Sequence, residues 1–465
     1  MKRRVGIVLL MLVVLHAAGQ QTSQSLTGQQ TSQSLTGQPA APLTLDSCLA
    51  LAKENNADIR ISRLEIAKAR EVKAQAFTKF FPQVSGSIVS YHALKPILEF
   101  GISDIQSDDA RRVLQALYDL VKTNTDVENE ISLMRYGTAL SATAMQPLFA
   151  GGRIVNGNRL AQLGIEAAEL NAQVSERDVL EEVETTFYLV LGLQAKVATV
   201  ESTLALLDSL GHTVDVALRA GLVTRSDALQ VELKKNEMRA TRLQLANGIQ
   251  LASQLLCQQM GINVPQEPLT LTEQTESIPP LTQLALAPAD GSRPEEQLLN
   301  LQLQAEELRK KMSIGEALPQ VAFGGTYFWG NPVKKDFSHN GMLFATATVP
   351  LTQWWETAHK IREHNVTIKQ YEWQRDDLTR KMRIEEQQAY NQMIEAQALL
   401  ASDSSALAMA EENYRLATLH YEAGLATMND VLQANAMLLQ AQNAITDRKI
   451  AYYTAQRRLH DLTEH

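Results

Sequence analysis

Few residues in this chain have the type and spacing for chemistry. Between its ends, histidines stand at His92, His212, His339, His359, His364, His420 and His460, and only His359 and His364 are close in sequence. They are five apart, which is not the i,i+4 face that two zinc-binding histidines share on a helix. Gly151-Gly152 lacks the surroundings of a nucleotide loop and reads as a strand-to-helix corner; no P-loop supplies an ATP engine. Met409, Met428 and Met437 lie on helical runs as core filler. Cys48 and Cys257 are too few for a disulfide framework and read as two separate buried thiols, with one bridge as the alternative. The sequence thus predicts no catalytic residue, no metal site, no cofactor and no enzyme. Asp430 has two readings. It caps a helix, or, repeated around an axis by several copies, it forms an anionic ring that favours cations.

The elements that position these residues occur twice. Pro82-Gln83-Val84 returns as Pro319-Gln320-Val321, Pro147-Leu148 as Pro350-Leu351, and Ala220-Gly221-Leu222 as Ala423-Gly424-Leu425. Pro147 to Gly221 and Pro350 to Gly424 both span 74 residues, and Asp58 and Glu295 each lie 24 before their proline. Residues 43–262 therefore form a first repeat and 295–460 a second, joined by the proline-containing stretch 263–294, whose prolines rule out an uninterrupted helix. Pro82 to Pro147 spans 65 residues against 31 for Pro319 to Pro350, so the first repeat carries an insert near 95–130 with a charged, helix-capable piece from Asp108 to Lys122. The insert is expected at the tip of a hairpin, facing the cell exterior.

Each repeat predicts a helix (45–80 and 295–317), two strands, a very long helix, a turn and a return helix. The strands, 83–93, 139–149, 320–330 and 341–351, alternate with period two. Leu140, Ala142, Ala144 and Leu148 oppose Ser141, Thr143 and Met145; Val321, Phe323, Tyr327 and Trp329 oppose Ala322, Gly324, Thr326 and Phe328. Small lumen-side residues with apolar outer ones suit a membrane barrel. Tyr91, Tyr327, Trp329, Trp354 and Trp355 stand where an aromatic belt would lie. Four strands cannot close a barrel, and an open edge in lipid strands backbone groups at several kcal/mol each. Either the strands form a soluble sheet or several chains pool them.

Proline-free runs at 152–219 and 352–422 reach about 100 Å as helices, and the returns 224–260 and 427–460 reach about 50 Å. Steps of three and four along Leu180, Val183, Phe187, Val190 and onward give a coiled-coil rhythm. Gly221 and Gly424 end the outgoing helices; Thr224 with Asp227, and Thr427 with Asp430, cap the returns. Leu222 and Leu425 at these tips either staple the hairpin or meet a partner.

Lys2, Arg3 and Arg4, the apolar run Val5–Leu15 and Ala17-Ala18-Gly19 read as a signal peptide over 1–19, with an uncleaved anchor as the alternative. Residues 20–42, with the tandem QQTSQSLTG, read as a polar tether, and no other membrane-spanning helix is expected. The formal charge of -9 provides no basic footprint for nucleic acid.

LTLDSCLALAKENNADIR at 43–60, FFPQV at 80–84, QPLFAGGR at 146–153 and the two AGL hairpins together resemble the TolC-like outer-membrane efflux protein family over about 43–460. That resemblance implies a homotrimer, mainly α, with four strands per chain pooled into a twelve-stranded outer-membrane barrel above a periplasmic helical tunnel. It implies an adaptor at Ala220, Gly221, Leu222, Ala423, Gly424 and Leu425, an inner-membrane pump beyond it, and lipid around the barrel. Asp430 matches the first of the family's two entrance aspartates, while Gln433 stands at the second. Pro82, Pro147, Gly151, Gly152, Pro319 and Pro350 mark the barrel–tunnel corners; PLTQWWE at 350–356 departs from the glycines of the first repeat and brings Trp354 and Trp355 there. The alternative function is a periplasmic coiled-coil scaffold that forms no channel.

Overall fold

The computed structural model describes residues 43–92, 94, 98–101, 107–122, 130–133, 136–264, 269–272, 293–330 and 338–463. The chain divides into Met1–Leu43 and Thr44–His465. The signal peptide and tether readings lie outside the described residues, as does much of 263–294.

The second unit opens with α1 (Leu45–Asn55) and α2 (Ala57–Thr78), where the sequence predicts one helix. Asn56 makes the break. Its Oδ1 accepts from the N–H groups of Asp58 (2.8 Å) and Ile59 (3.3 Å), capping α2, while its Nδ2 donates to the Gln259 carbonyl at 2.7 Å. That last partner is far along the chain, so helical periodicity could not reveal it. Next come β1 (Gln83–His92), β2 (Leu98–Gly101), α3 (Asp108–Lys122), β3 (Glu130–Leu133) and β4 (Tyr136–Phe149). Then α4 (Arg153–Arg219), α5 (Arg225–Gln259), α6 (Pro294–Glu316), β5 (Gln320–Gly330), β6 (Ser338–Thr348), α7 (Gln353–Glu422) and α8 (Met428–Thr463) complete the unit. Pro294 does not interrupt a helix. It opens α6, where its missing N–H costs nothing.

β1, β4, β5 and β6 form one antiparallel sheet in that lateral order, and β2 pairs with β3 in a separate two-stranded ribbon. The helices α2, α4, α6 and α7 pack side by side in the same order as the strands to which they are joined. Sheet and helix layer are therefore two stretches of one wall. In the other half of the long helices, α5 pairs with α4, and α8 with both α7 and α4. The core there is built from Val200, Leu207 and Val214 on α4, Val231 on α5, and Met428 and Val431 on α8. α4 holds 67 residues and α7 holds 70, so each runs about 100 Å. α4 also contains a window long and apolar enough to cross a membrane by length and composition, which the sequence reading did not expect. The helix has packed neighbours along its course, α2 and α6 in one half and α5 and α8 in the other.

Candidate functional site

Strand register sorts the sheet residues into two faces. Val84 stands opposite Ala144, Ile88 opposite Leu140, Leu140 opposite Trp329, Ala142 opposite Tyr327, and Gly325 opposite Leu343. Residues directly opposite project to the same side, so these share one apolar face. It is uncovered: Ile88 is 73% exposed and Leu343 77%. The other face carries hydroxyls that bond across strands, Ser87 to Ser141 at 2.8 Å and Thr143 to Thr326 at 2.8 Å. A sheet with water on its apolar side would have a strong reason to bury it; here no described element covers it. β1 and β6 end the sheet, and each leaves one row of backbone donors and acceptors without a strand partner.

One expected assignment changes. A bulge between Pro147 and Phe149 makes Leu148 the extra residue and pairs Phe149 with Val321, so Phe149 takes the apolar-face position assigned to Leu148. The sequence alternation breaks here because the extra residue shifts parity by one.

The corner between sheet and helices depends on close backbone approach. Gly151 (φ 63°) and Gly152 (φ 75°) occupy the left-handed region between β4 and α4. A Cβ at Gly151 would lie 2.1 Å from the Gly315 carbonyl oxygen, and one at Gly315 would lie 2.2 Å from the Gly151 carbonyl oxygen. In the second repeat the indole of Trp354 donates to the Ala317 carbonyl at 2.9 Å, satisfying the C-terminal end of α6. Trp355 points outward and is 75% exposed. Pro147 lies in β4 beside its bulge, whereas Pro82, Pro319 and Pro350 lie just outside the strands.

Both tips are built alike. Gly221 (φ 74°) and Gly424 (φ 68°) follow Ala220 and Ala423, and the N–H groups of Leu222 and Leu425 reach back to the carbonyls of Ala217 and His420 at 2.9 and 2.8 Å. Asp227 Oδ2 accepts from the Thr224 N–H at 2.9 Å, and Asp430 Oδ2 from the Thr427 N–H at 2.7 Å; the hydroxyl of each threonine also donates to that oxygen. The Thr427 hydroxyl and backbone N–H hold the Asp430 carboxyl below the ordinary aspartate range. Leu222 (79% exposed) and Leu425 (78% exposed) do not staple their hairpins; they project from them. Gln433 is exposed one turn beyond Asp430.

Midway along the wall, buried charge holds the elements together. Arg293, at the head of α6, places Nη2 2.5 Å from Glu386 Oε1 on α7 and 3.2 Å from the Leu462 carbonyl on α8. Closer to the sheet, His364 Nδ1 lies 2.6 Å from Glu306 Oε1 and its Nε2 3.0 Å from Ser313 Oγ. Burial raises the Glu306 carboxyl, but hydrogen bonds from His364 and Arg309 outweigh it, and the net shift is downward. The repeats differ here. Lys310 donates to Asn365 at 2.6 Å, and Lys73 donates to Gln162 at the matching place in the first repeat. The positions matching Glu306, Ser313 and His364 are Ala69, Ala76 and Ala161, which line a groove of about 1440 Å³ between α2, α4 and the strand ends. Sequence reading missed this polar chain and Arg293; the buried charges carry no local signal, though comparing the repeats position by position exposes the alanine substitutions. Cys48 and Cys257 are buried free thiols, and burial pushes Cys48 up to about 11.

Residues 296–464 match the family model described as outer membrane efflux protein. The match takes in the second repeat. The fold is also that of several solved structures. VceC from Vibrio cholerae superimposes with a TM-score of 0.69 at 16% identity, over 90% of this chain and 96% of that one. The outer membrane channel CmeC from Campylobacter jejuni gives 0.71 at 13% identity, over 90% and 85%. The outer membrane channel MtrE from Neisseria gonorrhoeae gives 0.67 at 13% identity, over 90% and 88%. No curated protein sequence matches.

Proposed function

We propose that three copies of this chain close into one outer-membrane conduit, the passive exit channel of a tripartite efflux or secretion system. The supporting observation is the four-stranded sheet with one apolar face and two bare edges. In lipid those edges require partners, and β6 of one copy beside β1 of the next provides them. The helix layer ends in the same way, with α2 at the β1 edge and α7 at the β6 edge, so one head-to-tail contact completes both layers. Three copies pool twelve strands with hydroxyls facing the lumen and apolar side chains facing lipid.

In this reading the barrel sits in the outer membrane of a Gram-negative cell and the helices form a tunnel in the periplasm. Asp430, repeated three times near the tunnel entrance, forms a single anionic ring, because Gln433 is uncharged. Ala220, Gly221, Leu222, Ala423, Gly424 and Leu425 dock a periplasmic adaptor that links the channel to an inner-membrane pump. The exposed leucines support that role, since each leaves a large apolar side chain in water at a rigid turn.

The test is reconstitution. The purified full chain should extract from outer membranes as a trimer and conduct ions in a planar bilayer, and a photocross-linker at Leu425 should capture an adaptor in intact envelopes. Release as a water-soluble periplasmic protein without conductance would refute the conduit in favour of a scaffold. Self-cross-links alone at Leu425 would refute tip docking.

A further inference from the structure

The first repeat carries an element that the second lacks: α3, held on the β2–β3 ribbon beyond β1 and β4. β1 runs from the helix corner at Gln83 to His92, and β4 returns from Tyr136 to Phe149. The insert between them therefore leaves the sheet at the end opposite the helices. In α3, the positions Ala110, Val113, Leu114, Leu117, Leu120 and Val121 fall within an arc of about 120° at helical spacing. Apart from Ala116 and Tyr118 the remaining positions are polar, and their three acidic and three basic residues balance. Val113, on the apolar arc, is 60% exposed, and α3 has no extended packing partner among the described elements.

We propose that α3 is an interfacial helix that lies on the outer surface of the lipid bilayer beside the barrel. The proposal rests on the outer-membrane reading above. A helix serving only as a spacer in water would be polar all round; a one-sided apolar arc of this width needs a surface. The nearest apolar surface is the continuation of the sheet's own uncovered face, which runs along β1 and β4 through Val84, Ile88 and Leu140 towards the insert. The ribbon tethers α3 at the edge of that band, so a weak intrinsic affinity for lipid suffices at high effective concentration. The balanced charge means that binding requires no anionic headgroup.

The experiment uses full-length trimers in phosphatidylethanolamine–phosphatidylglycerol vesicles. Single substitutions Leu117→Cys on the apolar arc, Gln115→Cys on the polar arc and Leu343→Cys on the sheet face each receive an environment-sensitive fluorophore. Cys48 and Cys257 are fully buried and do not compete for label. Lipids brominated near the headgroup should quench the label at 117 about threefold more than at 115, and lipids brominated deep in the acyl chain should quench the label at 343, which lies mid-strand. Equal quenching at 115 and 117 with quenching at 343, or oxidative 117–117 cross-linking between copies, would overturn the proposal and leave the barrel intact. Absence of quenching at 343 as well would defeat the membrane reading itself.

Discussion

Removing the Glu386 carboxylate is expected to do more damage than removing the whole ion pair. Arg293 and Glu386 are both almost fully buried and sit 2.5 Å apart. In Glu386→Leu the guanidinium stays in the interior with the Leu462 carbonyl at 3.2 Å and the half-exposed Glu385 at 3.7 Å, while its Nε still has no hydrogen bond. Breaking a buried pair on one side costs about 3–5 kcal/mol, and Glu385 brings the expectation to the lower end, about 3 kcal/mol. Arg293→Met combined with Glu386→Leu leaves no stranded charge and should fall within about 1 kcal/mol of the parent. Equilibrium unfolding in guanidinium, followed by helical circular dichroism on detergent-solubilised protein, measures both. A single variant within about 1 kcal/mol of the parent, or a double variant as unstable as the single, would refute the reasoning.

Three further outcomes are expected. Gly151→Ala combines a left-handed φ with a Cβ overlap at 2.1 Å, and should cost about 2–4 kcal/mol and deplete folded protein; normal yield and unchanged melting would contradict it. Glu306 has a folded-state pKa below its unfolded value, so its contribution is complete above the unfolded pKa and is lost as pH falls through the folded one. Acidification from about pH 5 to about pH 3 should therefore destabilise the parent more steeply than Glu306→Gln, and equal slopes would argue against it. Asp430→Ala should weaken block by multivalent cations in a planar bilayer, and an unchanged response would remove Asp430 from the entrance.

Local patterns carried much of this protein. Alternation along 320–330 marks β5 at its observed bounds, and the charged run Asp108–Lys122 marks α3. The two tips are legible because glycine, threonine and aspartate act within one turn of one another, as the caps at Thr224–Asp227 and Thr427–Asp430 show. Such contacts lie close in sequence, so residue type and spacing are enough to specify them. The tertiary structure decided what spacing cannot encode. Asn56 divides the first helix because Gln259 offers it a carbonyl, and Leu148 leaves the strand alternation because β5 pairs past it. Gly315 must be small because Gly151 approaches it, and Arg293, Glu386, Glu306 and His364 acquire meaning only once α6 lies against α7. Each of these depends on which distant segment arrives as a neighbour, and that is fixed by packing of the whole wall rather than by any short run of residues.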